Sequence, residues 1–425
     1  MEDVGEYVVR GNLIYTETMD RFSALVDGCI MVKDGRIQAV GPYQSLANQD
    51  IPVLDYRGAL IIPGFVDLHV HAPQYGQIGI GMDETLLQWL EQYTFPEEKQ
   101  FADPAKAAGI YTDFIRELVD NGTTGAAVFA TIHPESTERL CRLLKQAGIR
   151  AFVGKVNMDA NAPAVLHEET KTSLEQTRQF LQAWKDDPMV KPILTPRFAP
   201  SVTRELLTGL GKMAQEYQVP VQSHLAENQE EVAWVASLFP ERSSYLDVYA
   251  YYHLLGDTPT LMAHCIYLSP EDVQRMAACD VYAVHCPDSN LNLRSGLMPV
   301  RKLLKAGVRV GLGSDIGAGN SLFMPDEVVR AIEISKVYAM LHPEDEPLHL
   351  SEAFYLATKG GGCFFGRTGS LEPGYAADFL VVDVPEHQRE RSLEEQLQSF
   401  MYHGRSKDIR AGYVAGHLVK GSFAC

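Results

Sequence analysis

The sequence predicts a (β/α)8 TIM-type barrel carrying a small β-sandwich domain built from both chain ends, and three observations carry that prediction. Across residues 61–369, about eight apolar runs alternate with helical patterns, the texture of parallel strands returned by helices. At each end of the chain, strand-like segments follow one another with turns and no helix between them. Histidine or aspartate closes several of the apolar runs, at the strand ends where such a barrel gathers its working groups. A doubly wound sheet competes on alternation alone. It gives no reason for so many strands to end in metal-type residues.

Taken in order, residues 1–60 open with β-like stretches at 8–15 and 29–32. Asp34-Gly35 then marks a two-residue hairpin before the stretch 36–41. Residues 370–425 answer with strand-like stretches at 379–382 and 413–419, so the two ends are expected to pair and clasp the barrel. The apolar run Ala59-Leu60-Ile61-Ile62 reads as the first barrel strand, leading into Pro63-Gly64-Phe65-Val66-Asp67-Leu68-His69-Val70-His71. A helix follows with Asp83 as its N-cap. The next is opened by Pro104, carries Ile110, Phe114 and Leu118 at i+4 spacing, and is closed by Gly122. Further strands are expected at 126–130, 151–156, 193–198, 219–224, 261–264, 281–285 and 308–315, with helices such as 205–217 and 325–340 between them.

Composition bounds the function. A chain of 425 residues, 46% hydrophobic and 22% charged, suits a globular protein with a sizeable core. A formal net charge of −18 without a basic stripe argues against nucleic acid or an acidic membrane as partner. No apolar run approaches the roughly 20 residues of a spanning helix. The acidic start, Met1-Glu2-Asp3-Val4-Gly5-Glu6, lacks the basic and apolar regions of a signal peptide. Seven cysteines, odd in number and without paired spacing, suit free thiols in a reducing compartment. A cytoplasmic, soluble protein is expected.

His69 and His71 stand two apart, so a strand points both imidazoles to one face. His224 ends the fifth strand, His264 the sixth and Asp315 the eighth. All five are residue types that bind zinc, and all five fall at the same end of the barrel. His285 ends the seventh strand and reads equally as a structural residue or a neighbour of the ligands. Glu227 follows His224 by three residues, a spacing that lets a carboxylate reach over a metal as general acid/base. The same residue also reads as a carboxylate favoured at the start of the helix before Glu230-Glu231. Asp67 and Asp83 read as loop or capping residues.

Other motifs fail on spacing. Gly311-Leu312-Gly313 begins like a dinucleotide loop, but its third glycine falls one residue late, at Gly317. His167-Glu168-Glu169 lacks the second histidine of a metalloprotease helix, and the paired cysteines of the H-x-E deaminases are absent. A carbamylated lysine for two metals would stand at the far end of strand four. Lys191 lies at the wrong end, Arg197 occupies the far end, and Lys155 in strand three has no role legible from sequence.

Several segments are similar to the guanine deaminases of the amidohydrolase superfamily, over nearly the whole chain. The stretch from Pro63 through His71 to Ala72-Pro73-Gln74-Tyr75, then Tyr93-Thr94-Phe95-Pro96, Asn121-Gly122-Thr123-Thr124 and Thr195-Pro196-Arg197-Phe198, carries the resemblance. Ser223-His224-Leu225-Ala226-Glu227-Asn228, His285-Cys286-Pro287-Asp288-Ser289-Asn290-Leu291 and Gly311-Leu312-Gly313-Ser314-Asp315 extend it. The H-x-H and Ser-Asp pieces belong to many amidohydrolases, whereas Ala-Pro-Gln-Tyr, Tyr-Thr-Phe-Pro and Thr-Pro-Arg-Phe are narrower.

The resemblance implies one zinc per chain, held by His69, His71, His224 and Asp315, with His264 either a further ligand or a partner of the metal's water. It implies that Gln74, Arg197, Phe198 and Glu227 hold a purine, beside His224 and Asp315. Guanine would lose its C2 amine to give xanthine and ammonia, with Asp315, Glu227 and His264 catalytic, in a homodimer. Departures are small: Ser314 stands where threonine is common, Ile316-Gly317-Ala318-Gly319 differs in detail, and Arg294 adds a charge near the pocket. Two rival readings are an amidohydrolase for another aminated heterocycle (8-oxoguanine, a pterin, a triazine) and a non-catalytic scaffold. Against the scaffold, the ending Gly421-Ser422-Phe423-Ala424-Cys425 carries no recognisable docking motif.

Overall fold

Asp34 and Gly35 both take left-handed φ values, 50° and 72°, as a tight hairpin turn requires. They join β2 (Arg21–Lys33) to β3 (Arg36–Pro42), while β1 (Glu6–Thr18) lies antiparallel to β2 and parallel to β4 (Val53–Pro63). The computed structural model describes residues 5–46 and 51–420. The acidic start at residues 1–4 and the ending at 421–425, with Cys425, lie outside the described residues.

The first barrel strand is not the one read from sequence. Ala59–Ile62 belongs to β4 of the outer sheet, and β5 (Phe65–His71) begins only after a break at Gly64. Two strands therefore run end to end where one was expected. The apolar run misleads because β4 is covered on both flanks, so Ala59 to Pro63 are all buried. Glycine is required at the break: a Cβ on Gly64 would come within 2.2 Å of the Thr124 side chain.

Seven further barrel elements follow β5. They are β6 (Thr123–Phe129), β7 (Arg150–Gly154) with its short continuation β8 (Val156–Asn157), and β9 (Val190–Pro192) with β10 (Thr195–Pro196). After them come β11 (Val221–Leu225), β12 (Thr260–His264), β13 (Val281–His285) and β14 (Arg309–Leu312). All neighbours pair in parallel, in the orders β5-β6-β7-β9 and β11-β12-β13-β14. The bridge Leu194–Val221 joins the two arcs on one side. On the other, the Asp315 N–H donates to the His69 carbonyl at 2.8 Å and the His71 N–H to that of Ile316 at 3.3 Å.

Helices cover the strands as the spacing predicts. The helix Pro104–Asp120 is capped by Asp103 and turns Tyr111, Phe114, Ile115 and Leu118 inward. Asp83 is not an N-cap: the short helix Leu86–Trp89 has Thr85 at that position, two residues later. Strands β15 (Phe379–Val382), β16 (Ile409–Val414) and β17 (His417–Leu418) then return to the outer sheet. There β15 lies antiparallel to β4, and the seven strands form one continuous sheet in the order β17-β16-β15-β4-β1-β2-β3. Among the described residues no helix is long and apolar enough to cross a membrane, and all six cysteines are free.

Candidate active site

Strand periodicity places the first two candidate ligands. In β5, Leu68 and Val70 turn away from the face that carries His69 and His71, whose Nε2 atoms come within 3.2 Å of each other. His224 from β11 brings its Nε2 to 3.1 Å from that of His71. Asp315, three residues beyond β14, sets Oδ1 at 3.2 Å from His69 Nε2 and 3.4 Å from His71 Nε2. The ring of Phe129 at the end of β6 packs against all three imidazoles, at 4.6–5.0 Å between centroids.

This donor set fits a tetrahedral cation. Zinc–nitrogen bonds of about 2.0–2.1 Å put tetrahedral ligands roughly 3.3 Å apart, which is the spacing of these atoms. His224 Nδ1 lies 2.6 Å from the Arg197 carbonyl, which can only accept, so Nε2 is left with its lone pair facing the cluster. Burial, and then the neighbouring His69, holds the pKa of His71 and of His224 well below the ordinary imidazole value, so both stay neutral. Burial would raise Asp315, but His69, with His264 and His224, brings it down to about 2. Two groups of donor atoms close enough to hold a metal ion share His69: His69, His71 and His224, and His69, His264, Cys286 and Asp315.

His264 stands slightly apart. Its Nε2 lies 3.4 Å from Glu227 Oε2 and 3.7 Å from Asp315 Oδ2, while Nδ1 is 2.9 Å from the Asn290 amide oxygen. That Nε2 is buried without a hydrogen-bond partner, a polar atom aimed at the space between Glu227 and Asp315. Both His264 (φ 73°) and Asp315 (φ 49°) sit in the left-handed region, where strand ends bend to throw their side chains inward. Glu227 is fully buried, and burial plus the Asp315 charge pushes its pKa up to about 8 against the opposing hydrogen bond from Ser295 Oγ at 3.0 Å.

Gln74, Arg197 and Phe198 all line the pocket above this cluster, together with Glu227, His224 and Asp315. So does a hydrophobic wall, Leu86, Trp89, Leu90 and Leu293, that the sequence reading did not reach. Arg197 is not a free donor fork: Nη1 is 2.5 Å from Glu98 Oε2, and the guanidinium lies 5.3 Å from the Phe95 ring centroid. The other oxygen of Glu98 accepts from Gln74 Nε2 at 2.9 Å, and Gln74 Oε1 accepts from the Gly317 N–H at 3.2 Å.

Sequence reasoning missed Glu98, although it follows Tyr-Thr-Phe-Pro by two residues. It also missed Glu231, whose Oε2 accepts from the Glu227 N–H at 2.9 Å while Oε1 accepts from the Tyr245 hydroxyl at 2.8 Å. Asp67 is no loop residue. It is buried in β5 and accepts from Ser314 N and Oγ and from the His69 N–H, tying the two ligand strands together. Burial pushes its pKa up to about 6 against those bonds. His285 is buried beside the cluster with neither ring nitrogen hydrogen-bonded. Lys155 pairs with Glu168 at 2.5 Å inside the barrel wall, and Arg294 Nη2 donates to the Asp83 carbonyl at 3.1 Å.

Comparison with known proteins places this arrangement. The model of the amidohydrolase family matches residues 60–419. Guanine deaminase of Escherichia coli (strain K12) is 36% identical over 97% of this chain and 97% of its own length. The crystal structure of guanine deaminase from C. acetobutylicum with bound guanine in the active site superposes with a TM-score of 0.94 at 45% identity, over 97% of this chain and 100% of that one. An adenosine deaminase from Xanthomonas campestris with bound zinc superposes with a TM-score of 0.85 at 25% identity, covering 97% and 92%.

Proposed function

The chain belongs to the amidohydrolase family and, within it, to the guanine deaminases, and we propose that it hydrolyses the C2 amine of guanine to give xanthine and ammonia. One observation supports this above the rest: a buried carboxyl, Glu227, lies beside the His/Asp cluster in a pocket that Gln74, Arg197 and Phe198 also line.

The family is metal-dependent, and His69, His71, His224 and Asp315 would hold one zinc per chain. A zinc ion there supplies Lewis acidity and makes hydroxide available near neutral pH. The side chains do the rest. Asp315 accepts the proton of the attacking water, and His264 Nε2 holds that water by its unpartnered lone pair. Glu227, kept protonated by its burial, gives its proton to the ring nitrogen beside C2 as the C2–O bond forms. Asp315 passes the proton it took to the amine, so ammonia leaves as the C2–N bond breaks, and the added hydroxyl returns its own proton to Glu227 as the C2 carbonyl forms. Phe198 offers a face for stacking, and Arg197 and Gln74 address the polar edge of the base. A cytoplasmic homodimer completes the reading; two chains per particle in light scattering and one zinc per chain in metal analysis would bear it out.

The reading is tested by ultraviolet absorbance on guanine and adenine, with metal analysis of the same sample. Guanine presents a carbonyl at C6 and adenine an amino group, which would meet the Arg197 donors donor to donor. Sites built on such hydrogen bonds discriminate by about 10⁴–10⁵, so adenine turnover should be lower by at least about 10³. Arg197→Ala should lose most guanine activity and keep its zinc. Glu227→Ala should lose about 10²–10⁴ in kcat. Equal rates on the two bases, or a Glu227→Ala enzyme within a few-fold of the parent, would overturn the assignment.

A further inference from the structure

The Arg197 guanidinium is a permanent cation in a pocket whose proposed substrate is neutral. Its side chain is only 4% exposed, so water does little to screen it. Among the described residues the carboxylate paired with it is Glu98, itself buried, at 2.5 Å from Nη1. Glu98 does not line the pocket; it stands behind the residues that do, and holds two of them at once. Gln74 is pinned at both ends, its Nε2 by Glu98 and its Oε1 by the Gly317 N–H. Gly317 has no room for a side chain, since a Cβ would come within 2.7 Å of the Gln74 carbonyl oxygen. The amide therefore has one orientation, and Arg197 keeps its remaining N–H groups for the ligand.

Charge gives this arrangement a second consequence. The reaction replaces an amine by a carbonyl, so in the product a ring N–H lies between two carbonyl groups. Xanthine is for that reason a stronger acid than guanine and is partly an anion at mildly alkaline pH. An unpaired guanidinium in a buried pocket would hold that anion, whereas one whose charge is already matched has little preference for it.

We propose that Glu98 is a specificity-determining residue of the deamination: its carboxylate sets Arg197 and Gln74 for the neutral purine edge and cancels the guanidinium charge, so that anionic xanthine is not retained. The proposal rests on the guanine-deaminase reading. Glu98 touches neither substrate nor reacting atoms, so it is a positioning residue.

The test is Glu98→Gln, beside the parent and Glu98→Asp, with guanine KM and kcat and the inhibition constants of xanthine and hypoxanthine at one mildly alkaline pH. Hypoxanthine serves as the neutral control of similar shape. The two effects should run in opposite directions. In Glu98→Gln, guanine KM should rise about tenfold with kcat changed much less, while xanthine should bind on the order of tenfold more tightly relative to hypoxanthine. Glu98→Asp keeps the charge, so its xanthine-to-hypoxanthine ratio should stay near that of the parent even where guanine KM rises. Parallel weakening of all three ligands in Glu98→Gln would overturn the proposal and leave Glu98 a strut. So would a parent enzyme that itself binds xanthine about tenfold or more tightly than hypoxanthine, a measurement that stands even where Glu98→Gln fails to fold. A parent inactive on guanine would instead refute the deaminase reading.

Discussion

At the scale of single residues, burial decides which groups carry charge. Protonation competes with a metal for an imidazole lone pair, and an unperturbed histidine would yield near pH 6.5. Burial holds the pKa of His71 and His224 well below that. Zinc content should therefore survive well below pH 6, and metal analysis after dialysis across that range checks it. Glu227 works in the opposite sense. Its raised pKa keeps it protonated at neutral pH, and a cation in the cluster would favour the carboxylate. kcat/KM should therefore fall on the alkaline side with a midpoint at or below about 8, and Glu227→Gln should lose that limb. The ligand histidines and Glu227 were legible in sequence because strand period and local spacing place them. Glu98 and Asp67 were not, since each acts through a partner the chain brings in from elsewhere, whereas Glu231 caps its own helix by accepting from the Glu227 and Asn228 N–H groups. Asp67→Ala leaves Ser314 and His69 with unpaired buried donors, at about 1–3 kcal/mol each. It should lower both zinc content and unfolding stability, read on the same preparation.

At the scale of elements, alternation revealed the barrel but not where its strands break. The fourth strand read from sequence, 193–198, holds only the short β10; β9 lies before it, and β10 leads directly to Arg197. β10 pairs with β8, the continuation of β7 just past Lys155. Lys155 donates to Glu168, whose other oxygen accepts from the Met158 N–H and from Ser173 Oγ. This pair fixes the β8 edge on which β10 rests, and no spacing rule announces it, because the residues are joined only in the fold. Lys155→Met should cost about 3–5 kcal/mol in urea unfolding, since it strands a buried carboxylate. Lys155→Met with Glu168→Gln should regain part of that loss; a double variant no more stable than the single would show that the charge was not the cause.

At the scale of the molecule, the candidate ligands come from β5, β11 and the loop after β14, so a metal bound by them would join the two parallel arcs. A cation that binds only the folded chain stabilises it by about 2.7 kcal/mol at a free concentration of 100 Kd. Chelation should lower Tm and abolish turnover together, and added zinc should restore both. If activity vanished at an unchanged Tm, the metal would not be bridging the arcs. The overall architecture was readable because it rests on periodicity, which is local. The seam at Gly64 was not, because the burial of β4 arises from β15, a strand contributed from the far end of the sequence.

That pairing sets a timetable. A ribosome adds about 5–20 residues per second, so tens of seconds separate the emergence of β4 from that of the strand that covers its edge. Through that interval the nascent protein carries an open, apolar strand edge directly upstream of its first two metal ligands. Holding chaperones should therefore act on this protein before its last segment is made. Stalled chains ending before β15 should be recovered with chaperone bound.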